Sequence, residues 1–354
     1  MTEQTDPRAV TPLAEDLRHI LTKGERLLEE LRGKHVFMTG GTGFFGCWLL
    51  ESFARANDEL GLNATACVLT RNPKRFAAKA PHLANHPAIR LHYGDIRSFE
   101  YPRAQFSFII HAATQSGPEP GDTDPLRRFD SDVQGTRRVL DFARCCGAER
   151  LLFTSSGAIY GKQPPDMRNV PEDYSGAPDP LDPTTAYGQA KRVSEFMCTA
   201  YAKEHGLHTV IARCFAFVGP HLPLDSHFAI GNFIRDALTG GPIVVKGDGT
   251  PYRSYLYAAD LAVWLWTLLL KGSSCRPYNV GSDSEITIAD LARVVAEVCC
   301  PGAEVRFGQK APLTSSAPRY VPSITRARVE LGLQPWIGLR EAIRRTMNWL
   351  GSAR

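Results

Sequence analysis

The sequence predicts an α/β protein built on a doubly wound parallel sheet, and three observations predict it. Short apolar runs recur between helical patterns, each run is bounded by turn residues, and a glycine-rich turn follows the first of them. The runs are HVFMTG (35–40), TACVLT (65–70), IRLHYG (89–94), FSFIIHAA (106–113), RLLFTSS (150–156) and TVIARCF (209–215). Strands alternating with helices describe a parallel sheet covered on both faces. Short continuous apolar runs are the signature of strands buried on both sides.

Ahead of the first run, Leu13, Leu17, Ile20, Leu21, Leu27, Leu28 and Leu31 recur at roughly helical spacing on a charged background, interrupted by Gly24. Residues 1–33 are therefore a helical arm, expected to pack on the domain or on a partner subunit. The alternating region covers 34–215. Beyond it Pro and Gly become frequent and the pattern loosens, so 216–354 read mainly as a smaller substrate-binding lobe, to which the Pro-rich stretch 163–183 contributes. The apolar run 261–270 is too short to span a bilayer and reads as a buried helix.

Composition narrows the class. With 43% hydrophobic and 22% charged residues, the 354-residue chain is an ordinary folded protein with enough length for a large core. A formal charge of +4 without a basic stripe argues against a nucleic-acid partner. Nine cysteines include the adjacent pairs Cys145–Cys146 and Cys299–Cys300 rather than C-x-x-C spacing, so reduced thiols and no metal site are expected. The first thirty residues carry acidic side chains and no apolar core, unlike a secretory signal. A soluble, cytoplasmic protein without a membrane partner is expected.

TGGTGFFG (39–46) joins the first strand to the helix after it. Gly40 permits a tight turn, Gly43 lets backbone approach a pyrophosphate, and Gly46 lets helix and strand pack closely. Thr42, Phe44 and Phe45 complete a turn whose free N–H groups, with the helix dipole, suit phosphate. This strand–turn–helix context makes 34–215 a Rossmann-type dinucleotide-binding domain. The second strand ends in Leu69-Thr70-Arg71-Asn72, where a domain that prefers NAD usually has an acid. Arg71, followed by Lys74 and Arg75, favours NADP, because a guanidinium grips a 2′-phosphate bidentately; NAD is the alternative. Asp95 and Ile96 are placed to meet the adenine. Ala112, Ala113 and Thr114 leave room for the ribose and nicotinamide, and His111 is taken as structural.

Tyr187 and Lys191 stand four apart in YGQAK and share a helix face. A phenol is a poor base at neutral pH, and a neighbouring ammonium favours its ionised form. Ser156, in TSSGAIYG at the C-terminal end of the fifth run, lies at the sheet edge where such folds bind ligands. Its hydroxyl can hold a reacting oxygen while Tyr187 passes a proton.

Together TGGTGFFG, the serine-bearing strand end, YGQAK, GDGTPYRSYLY (247–257) and YNVGS (278–282) resemble the extended short-chain dehydrogenase/reductases that modify nucleotide sugars. That group comprises epimerases, 4,6-dehydratases, decarboxylases and 4-ketoreductases, and the resemblance runs from about residue 34 to the end. It implies a nucleotide-sugar substrate, a homodimer joined through a helix pair, catalysis by Ser156, Tyr187 and Lys191, and substrate contacts from Ser156, Arg253 and Arg319, the arginines on the pyrophosphate. There are departures. Ala216 and Asp132 stand where the family usually has asparagines. Gly157 and Ala158 stand where 4,6-dehydratases have an Asp-Glu pair and decarboxylases keep the glutamate, which disfavours both reactions. Ketoreduction of a nucleotide 4-keto-6-deoxy sugar and 4-epimerisation with tightly bound NAD remain, and Arg71 tips the choice towards reduction. A non-enzymatic NADP-binding sensor or scaffold is a third possibility on the same fold.

Overall fold

A computed structural model of the chain describes residues 13–114, 124–226, 228–309 and 317–352. Seven strands form one parallel sheet: β1 (His35–Thr39), β2 (Thr65–Thr70), β3 (Ile89–Tyr93), β4 (Phe108–His111), β5 (Arg150–Ser156), β6 (His208–Cys214) and β7 (Pro277–Val280). Their order is β7-β6-β5-β4-β1-β2-β3. The chain therefore reverses direction between β1 and β4, and the crevice there is where doubly wound sheets bind dinucleotides. The doubly wound α/β class read from the sequence is the one observed.

The strands lie within a residue or two of the apolar runs. β4 is shorter than its run because Ala112 and Ala113 turn out of the sheet towards the crevice. The seventh strand has no apolar-run signal, although YNVGS overlaps it: Pro-Tyr-Asn-Val is short and half polar. It is nevertheless buried, with the Asn279 side chain accepting from Tyr160 and donating to the carbonyls of Val170 and Ser323. Residues 277–280 thus return to the central sheet from within the stretch read as lobe. From 163–183, Val170 donates its N–H to the Val321 carbonyl, tying that segment to the later part of the chain.

The helices that matter for the site are α1 (Ala14–Leu28), α2 (Phe44–Leu60), α3 (Pro125–Cys145), α4 (Ala186–His205) and α5 (Ala258–Lys271). α1 runs unbroken through Gly24, which is itself buried, so the glycine does not interrupt it. It packs on α2 and α5 through Leu17, Ile20, Leu21 and Leu28. Buried polar contacts fix the register: Tyr257 donates to Asp16, and His19 pairs with Asp260 at 2.8 Å. α5 carries the 261–270 run and is almost wholly buried. No helix of the described residues is long and apolar enough to cross a membrane.

Candidate active site

The β1–α2 turn is shaped by steric necessity. Gly40 has φ +72°, and a Cβ there would lie 2.4 Å from the Ala112 carbonyl carbon. At Gly46 a Cβ would lie 2.2 Å from the Gly41 Cα, so only glycine lets α2 start this close to the turn. Gly43 differs: a Cβ there would meet only the Gly40 carbonyl oxygen, at 3.4 Å, and would otherwise project into the crevice that Gly43 lines. The cradle is open where a pyrophosphate needs it, and the N-terminus of α2 faces it. A dinucleotide fits these residues.

The crevice is a cavity of about 1580 Å³. That exceeds the roughly 300–1,000 Å³ typical of a single small-molecule site, and leaves room for a dinucleotide and a second ligand end to end. Its walls include Gly40, Thr42, Gly43, Phe44, Phe45, Arg71, Asp95, Ile96, Ala112, Ala113 and Thr114, the residues expected around a cofactor. Gly46 and Lys191, also expected around a cofactor, are not among the lining residues. Arg71 is exposed at the end of β2, with Arg75 and Lys79 on the same rim. Asp95, which lines the cavity close to Arg71, accepts from the Arg97 side chain at 2.9 Å, which holds its carboxyl below the usual range. His111 is a satisfied core residue: its ring nitrogens meet the hydroxyls of Thr39 (2.8 Å) and Thr136 (3.0 Å), and burial pushes its pKa down to about 3.

At the far end of the cavity the three central residues converge. Ser156 closes β5, and its hydroxyl accepts the Ala158 N–H at 3.1 Å. Tyr187 lies in the first turn of α4; burial drives its phenol up to about 12, while hydrogen bonding with Ser156 acts the other way. Lys191 follows one turn later, 2% exposed, donating to the Thr154 carbonyl at 3.0 Å, with its ammonium 5.7 Å from the Tyr187 ring centroid. Burial lowers its pKa, and the Asp132 charge opposes that. Beneath them a buried network joins the elements. Arg213 of β6 pairs with Glu195 of α4 at 2.8 Å and donates to Tyr160, while Ser155 donates to the same glutamate at 2.5 Å.

The two arginines expected on substrate phosphate part company. Arg253 lines the cavity, its guanidinium 5.7 Å from the Tyr320 ring. Arg319 is not among the lining residues: its guanidinium pairs with Glu285 and stacks 4.2 Å over Tyr252. Ala216 lines the cavity, and Asp132 accepts from the Thr114 hydroxyl at 3.2 Å. Two residues absent from the sequence reading stand at the reacting end. Tyr320 places its hydroxyl 3.4 Å from Ser156, brought there from 164 positions away with no local signal. Arg128 lies over the Tyr187 ring at 4.8 Å; its position one helical turn before Asp132 was a usable signal.

A nucleotide-binding turn at the head of a parallel sheet, with Ser, Tyr and Lys converging at the other end of one cavity, defines an enzyme of the short-chain dehydrogenase/reductase type. Residues 36–281 match the model of the NAD dependent epimerase/dehydratase family, and the chain belongs to that family. It is 31% identical over 312 residues to UDP-glucuronic acid decarboxylase 5 of Arabidopsis thaliana, covering 87% of this chain and 86% of that one. With UDP-glucuronic acid decarboxylase 1 of Xenopus tropicalis it shares 28% identity, over 92% of this chain and 74% of the relative. In fold it is similar to the UDP-glucose 4-epimerase of Thermotoga maritima solved with UDP-glucose, at TM-score 0.76 and 22% identity, covering 90% of this chain and 99% of that one. A dTDP-glucose 4,6-dehydratase from Streptomyces venezuelae with NAD bound gives TM-score 0.74 at 24% identity, over 90% and 98% of the two chains.

Proposed function

We propose that this protein is a nucleotide-sugar oxidoreductase that reduces the 4-keto carbon of a nucleotide 4-keto-6-deoxy sugar, with NADP as its cofactor. The observation that carries the choice of reaction is the pair after Ser156. Gly157 packs against Phe215 and Tyr320, where an added Cβ would come within 2.7 Å of the Phe215 ring, and Ala158 is the cavity-lining neighbour. Neither offers the carboxylate that eliminating water needs. The names of the relatives raise a competing reaction, decarboxylation of a nucleotide glucuronic acid, and Ala158 weighs against it because decarboxylases of the family keep a glutamate there.

In this reading the β1–α2 turn and the α2 N-terminus hold the pyrophosphate, and Arg71, helped by Arg75, holds a 2′-phosphate. When bound, the nicotinamide supplies the hydride. Ser156 holds the sugar oxygen and Tyr187 gives it a proton as the alkoxide develops. Lys191, anchored on the Thr154 carbonyl, keeps positive charge beside the phenol and eases that transfer. Arg253 approaches the substrate phosphates. A homodimer through α3 and α4 is supported by Phe196, 72% exposed on α4, with the partly exposed Val193 one turn before it.

A second reading is 4-epimerisation with NAD retained throughout, supported by the NAD dependence of the family. One experiment separates these readings. The purified protein is analysed for bound NAD(H), then mixed with nucleotide 4-keto-6-deoxy sugars and NADPH while nicotinamide absorbance is followed. Stoichiometric loss of NADPH supports the reductase. Retained NAD(H) with sugar interconversion and no net consumption overturns it in favour of the epimerase, and carbon dioxide release from UDP-glucuronic acid overturns both. Turnover surviving Tyr187→Phe would remove the assigned chemistry altogether.

A further inference from the structure

We propose that Arg128 and Asp132 are a charge-compensating pair on α3, in which Arg128 is a positioning residue that holds the Tyr187 ring and offsets the carboxylate that Asp132 brings to the reacting centre. The proposal rests on the reading of Tyr187 as the proton-transfer group.

The sequence sets the two residues one helical turn apart, which puts them on one face of α3. Asp124 caps that helix, accepting the N–H groups of Leu126 and Arg127, and so fixes the first turn from which Arg128 reaches the cavity. The Arg128 guanidinium carbon is 4.8 Å from the Tyr187 ring centroid, closer than the Lys191 ammonium at 5.7 Å. Both cations therefore act on one ring, by the attraction a π-face exerts on positive charge.

Arg128, like Arg253, lines the cavity without a carboxylate partner among the described residues, and it alone of the two has a buried Nε without a hydrogen bond. Arg213 and Arg319 near the site each hold a carboxylate. Arg128 forms no ion pair among the described residues, and its Nε is buried without a hydrogen-bond partner. Arg128 is partly exposed and lines the cavity, so only its Nε is taken from water without a partner, and the place of that group over a phenol calls for a reason.

Asp132 supplies that reason. The groups facing Tyr187 are Ser156 from β5, Cys214 from β6, Lys191 from its own helix, Asp132 and Arg128 from α3, and Tyr320 from the 319–320 segment. The Asp132 charge holds the phenol's proton on, as does burial, and Arg128 works against both. Asp132 also draws on Lys191, so part of that ammonium's field is cancelled at the ring. An asparagine, which the resemblance leads one to expect at 132, would impose neither effect. The acid at 132 and the arginine at 128 are one departure, made in two residues.

The test is a titration that requires no substrate, cofactor or turnover. 3,5-Difluorotyrosine is installed at position 187, where its lower phenol pKa brings the transition nearer neutrality, and 19F NMR follows it in four proteins: the parent, R128Q, D132N and the double variant. The midpoint is expected to rise by about one unit in R128Q, to fall in D132N, and to return close to the parent in the double variant. R128K, which keeps the charge, is expected to stay near the parent. A midpoint that R128Q leaves unmoved or lowers overturns the proposal. Should R128Q not fold, D132N alone decides, since an unmoved or raised midpoint there overturns it equally. Failure of Tyr187→Phe to abolish turnover would refute the reading of the reaction while leaving this titration intact, so the two failures are distinguishable.

Discussion

Gly46→Ala places a methyl group 2.2 Å from the Gly41 Cα and 2.4 Å from the Gly40 carbonyl oxygen, all of it backbone. Ordinary contact begins near 3.4 Å, so the start of α2 must retreat from the turn by about 1.2 Å. Forced overpacking of this kind costs roughly 1–3 kcal/mol. The retreat also carries the α2 N-terminus away from the pyrophosphate cradle, and cofactor binding should weaken along with stability. Gly43→Ala is the control. Its methyl meets one oxygen at 3.4 Å and otherwise fills the cradle, so the ligand-free protein should keep its stability within about 0.5 kcal/mol while losing cofactor affinity at least tenfold. Urea denaturation of the ligand-free proteins and calorimetric titration with NADPH and NAD measure the two effects separately. If Gly46→Ala is as stable as the parent, or Gly43→Ala binds cofactor normally, the account of the turn is wrong.

Three further outcomes follow from the site. His111 is held near a pKa of about 3 against an ordinary value near 6.5, so the unfolded chain takes up a proton there that the folded one refuses. Stability should therefore fall as the pH drops from about 6.5 towards 3, by about 1.4 kcal/mol per pH unit from this group, and denaturation of a His111→Asn variant across that window should show a shallower fall. Arg213→Gln strands a buried Glu195 carboxylate that Ser155 alone then serves, which should cost about 3 kcal/mol in urea denaturation, whereas a loss under 1 kcal/mol would mean the network is dispensable. Replacing Arg71 with Ser should cut the preference for NADPH over NADH by tenfold or more in binding titrations, and an unchanged ratio would remove Arg71 from 2′-phosphate recognition.

Much of this was legible in the sequence where local physics dominates. Doubly buried strands must be apolar along their length, so β1, β2 and β5 announced themselves, and the turn at 39–46 could be read because its close backbone contacts admit nothing larger than glycine. The trio at 156, 187 and 191 was found because a helix turn and a strand end are local features. β7 escaped because its burial is satisfied by polar partners: Asn279 is matched by Tyr160 and two carbonyls rather than by apolar packing. Tyr320 escaped because its meeting with Ser156 is made by tertiary folding alone. The pairing of Arg319 with Glu285 was equally hidden, since a short arginine-containing motif does not name the carboxylate that tertiary folding brings to it.

The long-range contacts that α1 makes with the rest of the chain bear on how the protein is made. Arg345, in the helix Leu339–Ser352, donates to Asp16 across 329 residues of sequence, and His19 reaches Asp260 across 241. Synthesis proceeds from the N-terminus, so α1 leaves the ribosome shortly before α2 but long before α5. The part of its apolar face that packs on α5 must wait for that helix, and Asp16 waits until the middle of the helix Leu339–Ser352 has emerged. The parallel sheet adds further non-local contacts, such as Val36 beside Phe108, and topologies of this kind fold slowly. During that interval the apolar face of α1 that α5 will cover stays open to wrong partners.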